Sequence, residues 1–352
     1  MAIEVTIDDA RRFAVDVFTK LSVPADIAGD IAAHLVEADR VGYASHGMSI
    51  LPNYRRVLAE GQVAGDARPE RFIDRGALIG YDGHNGFGQH VGKIVIEEAI
   101  TRVKERGQCI VTLRHSHHLG RMGHYGEMVA EQGFVLLAFT NVTNRSPTVA
   151  PFGGAQARLT TNPLCFAGPL PGGRPPFVVD MATSAIAVNK ARVLAENGLP
   201  APPGSLVDAN GQPTTDAGAL FADPPGALLP FGGHKGYALA LATELLAGVL
   251  SGGGTIQPSN PRHGVATNNL FAIVLDPQID FNQTWRSNEV ESFLDYLLSC
   301  PPQDVGNPVQ YPGEYEASNR ARHATTIDLP ESVRKPFADL AVQLGIAPLT
   351  PA

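Results

Sequence analysis

Apolar residues recur at helical spacing through the first sixty positions. Phe13, Val17, Phe18 and Leu21 share one face of a stretch from Asp8 to Leu21, and Asp8 and Asp9 sit at its start, where they complement the helix dipole. A second stripe of Ile27, Ile31, Leu35 and Val36 follows Pro24, with Ser22 as its expected N-cap. A third helix is predicted from Pro52 to Glu60. From Arg71 the period changes. Short apolar runs (Ala77–Tyr81, Cys109–Leu113, Phe134–Phe139, Phe177–Val179, Leu270–Leu275) alternate with helical stretches such as Val91–Glu105 and Tyr237–Leu250. That alternation predicts an α/β core. Gly198–Gly226, rich in Pro, Gly and Asp, reads as a long ordered excursion, and the tail from Glu331 returns to a helical pattern. No internal repeat is visible.

A chain of 352 residues exceeds one ordinary core and predicts about two domains, interleaved. The expected division is a helical segment over 1–70, an α/β cofactor-binding domain over 71–265, and a return strand with C-terminal helices over 266–352 that completes the first domain. Charged residues make up 18%, against roughly 25% in average usage. So little charge on so long a chain points to surface hidden against a second copy. The net charge of −8 argues against a nucleic-acid partner. Cys109, Cys165 and Cys300 form neither a disulfide framework nor a thiolate zinc site. The N-terminus lacks the features of a secretory signal, and the longest apolar stretch, around Tyr237–Leu250, is broken by Thr243 and Glu244. The expectation is a cytoplasmic protein with no membrane partner.

Gly86-Phe87-Gly88-Gln89-His90-Val91-Gly92 resembles a dinucleotide-binding glycine turn between strand and helix. Its last spacing is one residue too long. The following strand runs into Arg114-His115-Ser116-His117-His118 rather than into the acidic residue that would bind a ribose. It reads instead as a loop closing onto a helix.

Four other segments combine glycine turns with polar chemistry. Ser45-His46-Gly47 offers an imidazole in a tight turn, able to move a proton near neutral pH. His115 to His124 places His118 and Arg121 at a strand end, with Gly120 and Gly123 allowing close backbone approach; arginine holds a carboxylate through a two-pronged fork. Metal binding by His115, His117 and His124, as in a hydrolase, lacks an HExxH spacing, a carboxylate pair and a nearby cysteine, so no metal is expected. Gly232-Gly233-His234-Lys235-Gly236 opens a helix and predicts an anion cradle of free amides beside a lysine. Thr160-Thr161-Asn162-Pro163 and Asp180-Met181-Ala182-Thr183-Ser184 are polar turns near strand ends, where Asp180 suits ribose hydroxyls or the orientation of a histidine.

Taken in order, SHG, HHLGRMGHYGEMVAEQGF, VAPFGG, TTNP, VVDMATSAIAVNKARV, PGSLVDANGQPTTD, PFGGHKGYALA and YPGEYE resemble the malate/L-lactate dehydrogenase family from about Thr6 to Leu329. Its hydroxycarboxylate dehydrogenase B branch resembles SHHLGR, SAIA and GGHKGYALA most. The resemblance implies a non-Rossmann α/β nicotinamide-binding fold, a homodimer, and hydride exchange between NAD or NADP and a 2-hydroxy acid or cyclic imino acid. It also implies that His46, with Ser45 beside it, and His118 are the proton-transfer candidates. Gly120, Thr161, Asp180, Met181, Ala182, His234, Lys235, Pro312, Gly313 and Glu314 fall at cofactor-contacting positions.

Three departures matter. Many members read SHGxxR, with arginine for the substrate carboxylate, where this chain has Ile50; that moves the role to Arg121 and favours a monocarboxylate over malate-like substrates. TTNP replaces GTNP, and Asn144-Arg145-Ser146 precedes VAPFGG. Oxidising a secondary alcohol needs a base for the hydroxyl proton as hydride leaves, and a neutral imidazole suits that near pH 7. The leading reading is therefore a dehydrogenase of 2-hydroxy monocarboxylates. A reductase of imino acids such as piperideine-2-carboxylate comes second, and a non-catalytic nucleotide-binding protein stands behind both.

Overall fold

A computed structural model describes residues 2–278 and 282–352. The chain runs through β1 (Ala2–Thr6), α1 (Ile7–Lys20), α2 (Ala25–Arg40), α3 (Leu51–Ala59), β2 (Glu70–Asp74), β3 (Leu78–Asp82), α4 (Gly88–Arg106), β4 (Gln108–His117), α5 (Met122–Glu131), β5 (Val135–Thr143), β6 (Leu164–Gly168), β7 (Phe177–Met181) and α6 (Val188–Glu196). It continues through β8 (Leu206–Val207), β9 (Pro213–Thr214), β10 (Ala227–Leu228), α7 (His234–Thr243), β11 (Thr267–Leu275), α8 (Gln283–Leu298), α9 (Glu314–Arg322), β12 (Thr326–Pro330) and α10 (Arg334–Leu344).

The first core is helical and draws on both ends of the chain. Ile7, Phe13, Val17 and Phe18 of α1 face Ile27, Ile31 and Leu35 of α2, and the same cluster takes in Ile327 and Leu329 of β12 with Phe337 and Leu340 of α10. β1 pairs antiparallel with β12, and the rings of Phe13 and Phe337 lie 5.3 Å apart. Thr6 caps α1 by accepting the Asp9 amide at 3.1 Å. Ser22 is not the cap of α2. It sits at φ +64, and the amides of Ser22 and Val23 return to the carbonyls of Thr19 and Phe18. This left-handed turn closes the end of α1 so that α2 can fold back at once, and it consumes the position that capping would need.

The second core lies in a seven-stranded sheet of order β2-β3-β4-β11-β5-β6-β7. Every pairing is antiparallel except β3 with β4. A doubly wound nucleotide-binding sheet is parallel, so this is the expected non-Rossmann α/β architecture. β11 returns from far along the chain to lie between β4 and β5. Buried Val111, Leu113, Leu136, Ala138, Leu270 and Val274 pack there with Val95 and Ile96 of α4 and Val129 of α5.

The Gly198–Gly226 segment is ordered, with short strands in a β10-β8-β9 sheet and Leu206, Ala217 and Leu220 in a third core beside α6 and α7. The single helix expected over 237–250 is split: α7 gives way to a π-helical turn over Glu244–Val249. Among the described residues no helix is long and apolar enough to cross a membrane.

Candidate active site

The last turn of α2 builds the loop that carries His46. Asp39 is buried, and its Oδ2 accepts the Met48 amide at 2.6 Å. Gly47 has no room for a side chain, since a Cβ there would meet Asp39 Oδ1 at 2.1 Å. The pairing pins the loop on either side of His46, whose Nδ1 lies 3.0 Å from Ser45 Oγ. Burial pushes the Asp39 carboxyl up to about 8, so at neutral pH it is largely protonated.

From the other side, β4 extends beyond the expected Leu113 to His117 and delivers His118 just after its end. The glycines of the Gly86–Gly92 segment have a packing purpose here. A Cβ on Gly88 would lie 2.3 Å from the His118 carbonyl oxygen, and one on Gly92 would lie 2.6 Å from Tyr125 Oη. Their absence lets α4 press against the end of β4. His118 then stacks on His46 with ring centres 5.5 Å apart. Tyr54 of α3 places its Oη 2.7 Å from His118 Nδ1, and Gln89 Nε2 donates to the same oxygen at 2.8 Å. Helical core and sheet thus meet at two half-buried imidazoles. Burial holds both on the neutral side: His46 falls to about 4, and His118 lies well below the usual histidine range.

A second polar cluster adjoins the first. Arg121 is 2% exposed and ion-paired with Glu127, which also meets Arg320 at 3.0 Å. Its guanidinium carbon lies 5.7 Å from the centre of the Tyr43 ring, and Tyr43 Oη donates to Glu316 at 2.6 Å. Asp180 Oδ2 accepts the Gly123 amide at 2.6 Å, and burial raises its carboxyl to about 6. Gly120 is left-handed at φ +78; a Cβ there would lie 2.4 Å from His34 Nε2, the atom that accepts the Arg121 amide at 2.9 Å.

The remaining residues singled out from the sequence fall around two clefts. Asp180, Met181, Pro312 and Gly313 line one of about 290 Å³, together with Tyr43 and Glu316. Gly313, at φ +114, leaves no space for a Cβ beside the Pro176 carbonyl, while Glu314 folds back to accept the Tyr311 amide at 2.9 Å. Ala182 follows at the end of β7. The Thr161 carbonyl accepts the Thr183 amide at 2.8 Å, and the Thr183 carbonyl accepts the Phe231 amide at 3.1 Å, which ties the TTNP turn to the GGHKG loop.

That loop borders a cleft of about 780 Å³ lined by Phe152, Ile186, Lys190, Pro230 and several glycines. The amide cradle expected at its helix start is partly closed. Gly232 and Gly233 are both left-handed, and the turn they form directs the Lys235 and Gly236 amides onto the carbonyls of Gly232 and Phe231. The side chains of His234 and Lys235 remain exposed.

His115, His117 and His124 do not converge. His115 meets Asp82, His117 packs on Tyr54 and Phe87, and His124 lies tilted against His34. Among the described residues no group of three or more His, Cys, Asp or Glu is placed to hold a metal ion. Sequence reading missed Tyr54, Gln89, Asp39 and Glu127. Only Gln89 carried a signal, inside the glycine segment; the others look like ordinary residues on helices.

The neutral histidine pair between a helical core and an antiparallel-rich sheet, with polar clefts beside it, occurs in a chain whose relatives are hydroxy-acid dehydrogenases. More particularly, the chain belongs to the malate/L-lactate dehydrogenase family, whose model matches residues 5–337. It is 61% identical to an L-lactate dehydrogenase of Cupriavidus necator over 98% of this chain and 99% of that one. It is 34% identical to hydroxycarboxylate dehydrogenase B of Escherichia coli, covering 96% and 93% of the two chains. The solved structure of a delta1-piperideine-2-carboxylate reductase from Pseudomonas syringae superposes with a TM-score of 0.84 at 31% identity, covering 96% and 99%.

Proposed function

We propose that this protein interconverts a 2-hydroxy and a 2-keto monocarboxylate with NAD or NADP, and that His118 moves the proton. The observation that carries the reading is the Gln89–Tyr54–His118 chain of hydrogen bonds ending beside His46. With Nδ1 protonated and donating to the Tyr54 oxygen, His118 keeps a free Nε2 to accept the substrate's hydroxyl proton. Gln89 Oε1 is buried with no partner among the described residues. Exchanging the amide's nitrogen and oxygen lets that oxygen accept the Tyr54 proton, which orients the whole chain toward Nε2 as base. In the reductive direction the imidazolium returns the proton to the 2-oxygen. When bound, the nicotinamide accepts or supplies the hydride.

The clefts fit such a cofactor. The larger one offers apolar walls, close-approach glycines, and Lys190, which has no carboxylate partner among the described residues. Lys190, His234 and Lys235 would hold its phosphates, and Asp180, Met181, Ala182, Thr161, Pro312, Gly313 and Glu314 would border the nicotinamide end near Gly120. The likeness to an L-lactate dehydrogenase supports a small substrate.

The test is nicotinamide absorbance with NADH and NADPH separately, across 2-keto acids from pyruvate and oxaloacetate to phenylpyruvate, with piperideine-2-carboxylate included. Monocarboxylic keto acids are expected to be reduced faster than oxaloacetate. Turnover of the imine alone would replace this reading with the second one, imino-acid reduction, which the Pseudomonas syringae likeness favours.

A homodimer is part of the proposal. Leu241, Leu245, Val249 and Leu250 are 43%, 53%, 54% and 59% exposed along α7 and the π turn that follows it. A stripe of this kind is what a second copy would bury. Sedimentation should give a dimer for the natural chain and a monomer for Leu245→Glu; a monomeric natural chain refutes it.

A further inference from the structure

Two cations near the acid–base centre, Arg145 and Arg192, have no carboxylate partner among the described residues. Arg145 follows β5 in a loop that is pinned rather than free. Asn144, at φ +60, donates from Nδ2 to Thr267 Oγ1 at 3.3 Å, and its Oδ1 accepts the His263 amide at 2.7 Å. The Asn144 carbonyl accepts the Gly264 amide at 2.9 Å. The left-handed residue and its three bonds set the direction in which Arg145 leaves the sheet. Arg145 is half-buried and lies two residues beyond Thr143, which pairs with Thr267 in the sheet as Thr267 pairs with His117 on its other side. Its charge adds a little to the burial that disfavours the His118 imidazolium.

Arg192 of α6 stands near enough to Arg145 to oppose its charge, with its guanidinium carbon 5.6 Å from the centre of the Phe221 ring. α6 itself touches the His46 loop, since Asn189 Nδ2 donates to the Ser45 carbonyl at 3.4 Å. Among the described residues neither guanidinium has an ion-pair or hydrogen-bond partner. By contrast, Arg12, Arg102, Arg114, Arg121 and Arg320 each meet a carboxylate. Withdrawing an arginine from water beside another one, with no counter-ion, is unfavourable unless a ligand brings the negative charge. Ile50, at the position where many relatives carry an arginine, packs against the helical core and offers no charge. Arg121 already has Glu127.

We infer that Arg145 holds the substrate's 2-carboxylate and so presents the adjoining C2 oxygen to His118, with Arg192 adding attraction at longer range. This rests on the dehydrogenase reading and deepens it. A two-pronged guanidinium fixes the plane of a carboxylate, and the neighbouring carbon is then held in one orientation toward the base. Arg145 also couples binding to chemistry. Its charge adds a small contribution to the burial that keeps His118 neutral, and a bound carboxylate offsets that contribution while it holds the alcohol in place.

The experiment compares the preferred 2-keto acid with its uncharged amide in the natural enzyme and in Arg145→Gln, Arg145→Lys and Arg121→Lys. Arg145→Gln should lower kcat/KM for the acid about 100-fold, equivalent to roughly 2.8 kcal/mol, mostly through KM. Turnover of the amide should stay within about threefold, so the preference for the acid collapses. Arg145→Lys should recover part of it. NADH binding followed by fluorescence and the melting temperature should stay at their natural values, which separates the effect from misfolding.

An unchanged acid-to-amide ratio in Arg145→Gln, or collapse in Arg121→Lys alone, overturns the assignment and leaves the dehydrogenase reading intact. Calorimetric titration with the same acids distinguishes the two failures. A protein that reduces no keto acid, yet binds small carboxylates and loses that binding in Arg145→Gln, sinks the dehydrogenase reading and supports the assignment. A protein that neither reduces nor binds them sinks both.

Discussion

His118→Asn is expected to lower kcat for alcohol oxidation about 1000-fold, close to 4 kcal/mol of transition-state stabilisation, with little change in cofactor binding. Asparagine keeps a polar side chain of moderate size but cannot take up a proton, so the loss reads the base itself rather than a cavity. Tyr54→Phe removes only the group that orients the ring. It leaves the imidazole in place between His46 and Tyr54's own ring position, and should cost about tenfold in kcat while KM holds. Burial keeps His118 neutral in the free enzyme, and the charge of Arg145 adds a smaller push in the same direction. Activity in the oxidative direction should therefore not fall off at pH 6.5 as an ordinary histidine would; the acid limb of kcat/KM should lie below it. A His46→Asn enzyme with the larger kcat loss would transfer the role to His46. Full activity in His118→Asn would end the assignment.

Acidification from pH 7 to pH 5 should destabilise the folded protein by about 4–5 kcal/mol, comparable with the whole stability of many proteins. Five histidines are responsible. Burial lowers His46 and His124 to about 4 and His117 to about 3, and holds His34 and His118 well below 6.5. Their folded values lie below their unfolded ones, so their contribution is complete above about pH 6.5 and is lost as the pH falls toward the folded values. Buried carboxyls act the other way. Asp39, raised to about 8, and Asp180, raised to about 6, hold protons in the folded state that the unfolded chain has released at pH 5, and Glu244 is shifted in the same sense. The balance is about two to three protons taken up on unfolding near pH 5, a slope of roughly 3–4 kcal/mol per pH unit. Urea unfolding at pH 7, 6 and 5 checks this through the midpoint. A midpoint that holds steady or rises on acidification contradicts it. Because His46 and His118 are among the five, the burial that keeps the bases ready at neutral pH is also what makes the fold acid-sensitive.

Asp39 shows how far the site reaches into its support. Its carboxyl touches no predicted catalytic residue, yet it holds the backbone on the far side of His46 and leaves Gly47 no room for a side chain. Glu244 does similar work beneath the TTNP turn: it accepts from Asn162 Nδ2 at 2.8 Å and Asn141 Nδ2 at 3.1 Å, and it lies where α7 relaxes into a π turn. An extra residue per turn is a common way to aim one buried side chain at a functional loop.

Local periodicity was enough to determine the helical faces of α1 and α2, the short buried strands and the α/β class, because these depend on neighbours three or four residues apart, or two. Ordered motifs were enough for the family and for His46 and His118 as candidates, since glycine turns beside titratable groups leave a trace in the chain. The site's internal arrangement left no such trace. The contact between Tyr54 and His118 spans 64 positions and exists only because α3 packs across the end of β4. Placing β11 between β4 and β5 needed pairings more than 120 residues apart, which no local pattern encodes. The same holds for charge. Arg121 and Arg145 look alike as letters, and only the fold gives Arg121 the Glu127 carboxylate and leaves Arg145 without one among the described residues. Whether a cation is already neutralised depends on which distant carboxylate tertiary packing brings within a few ångströms, and that is decided in three dimensions.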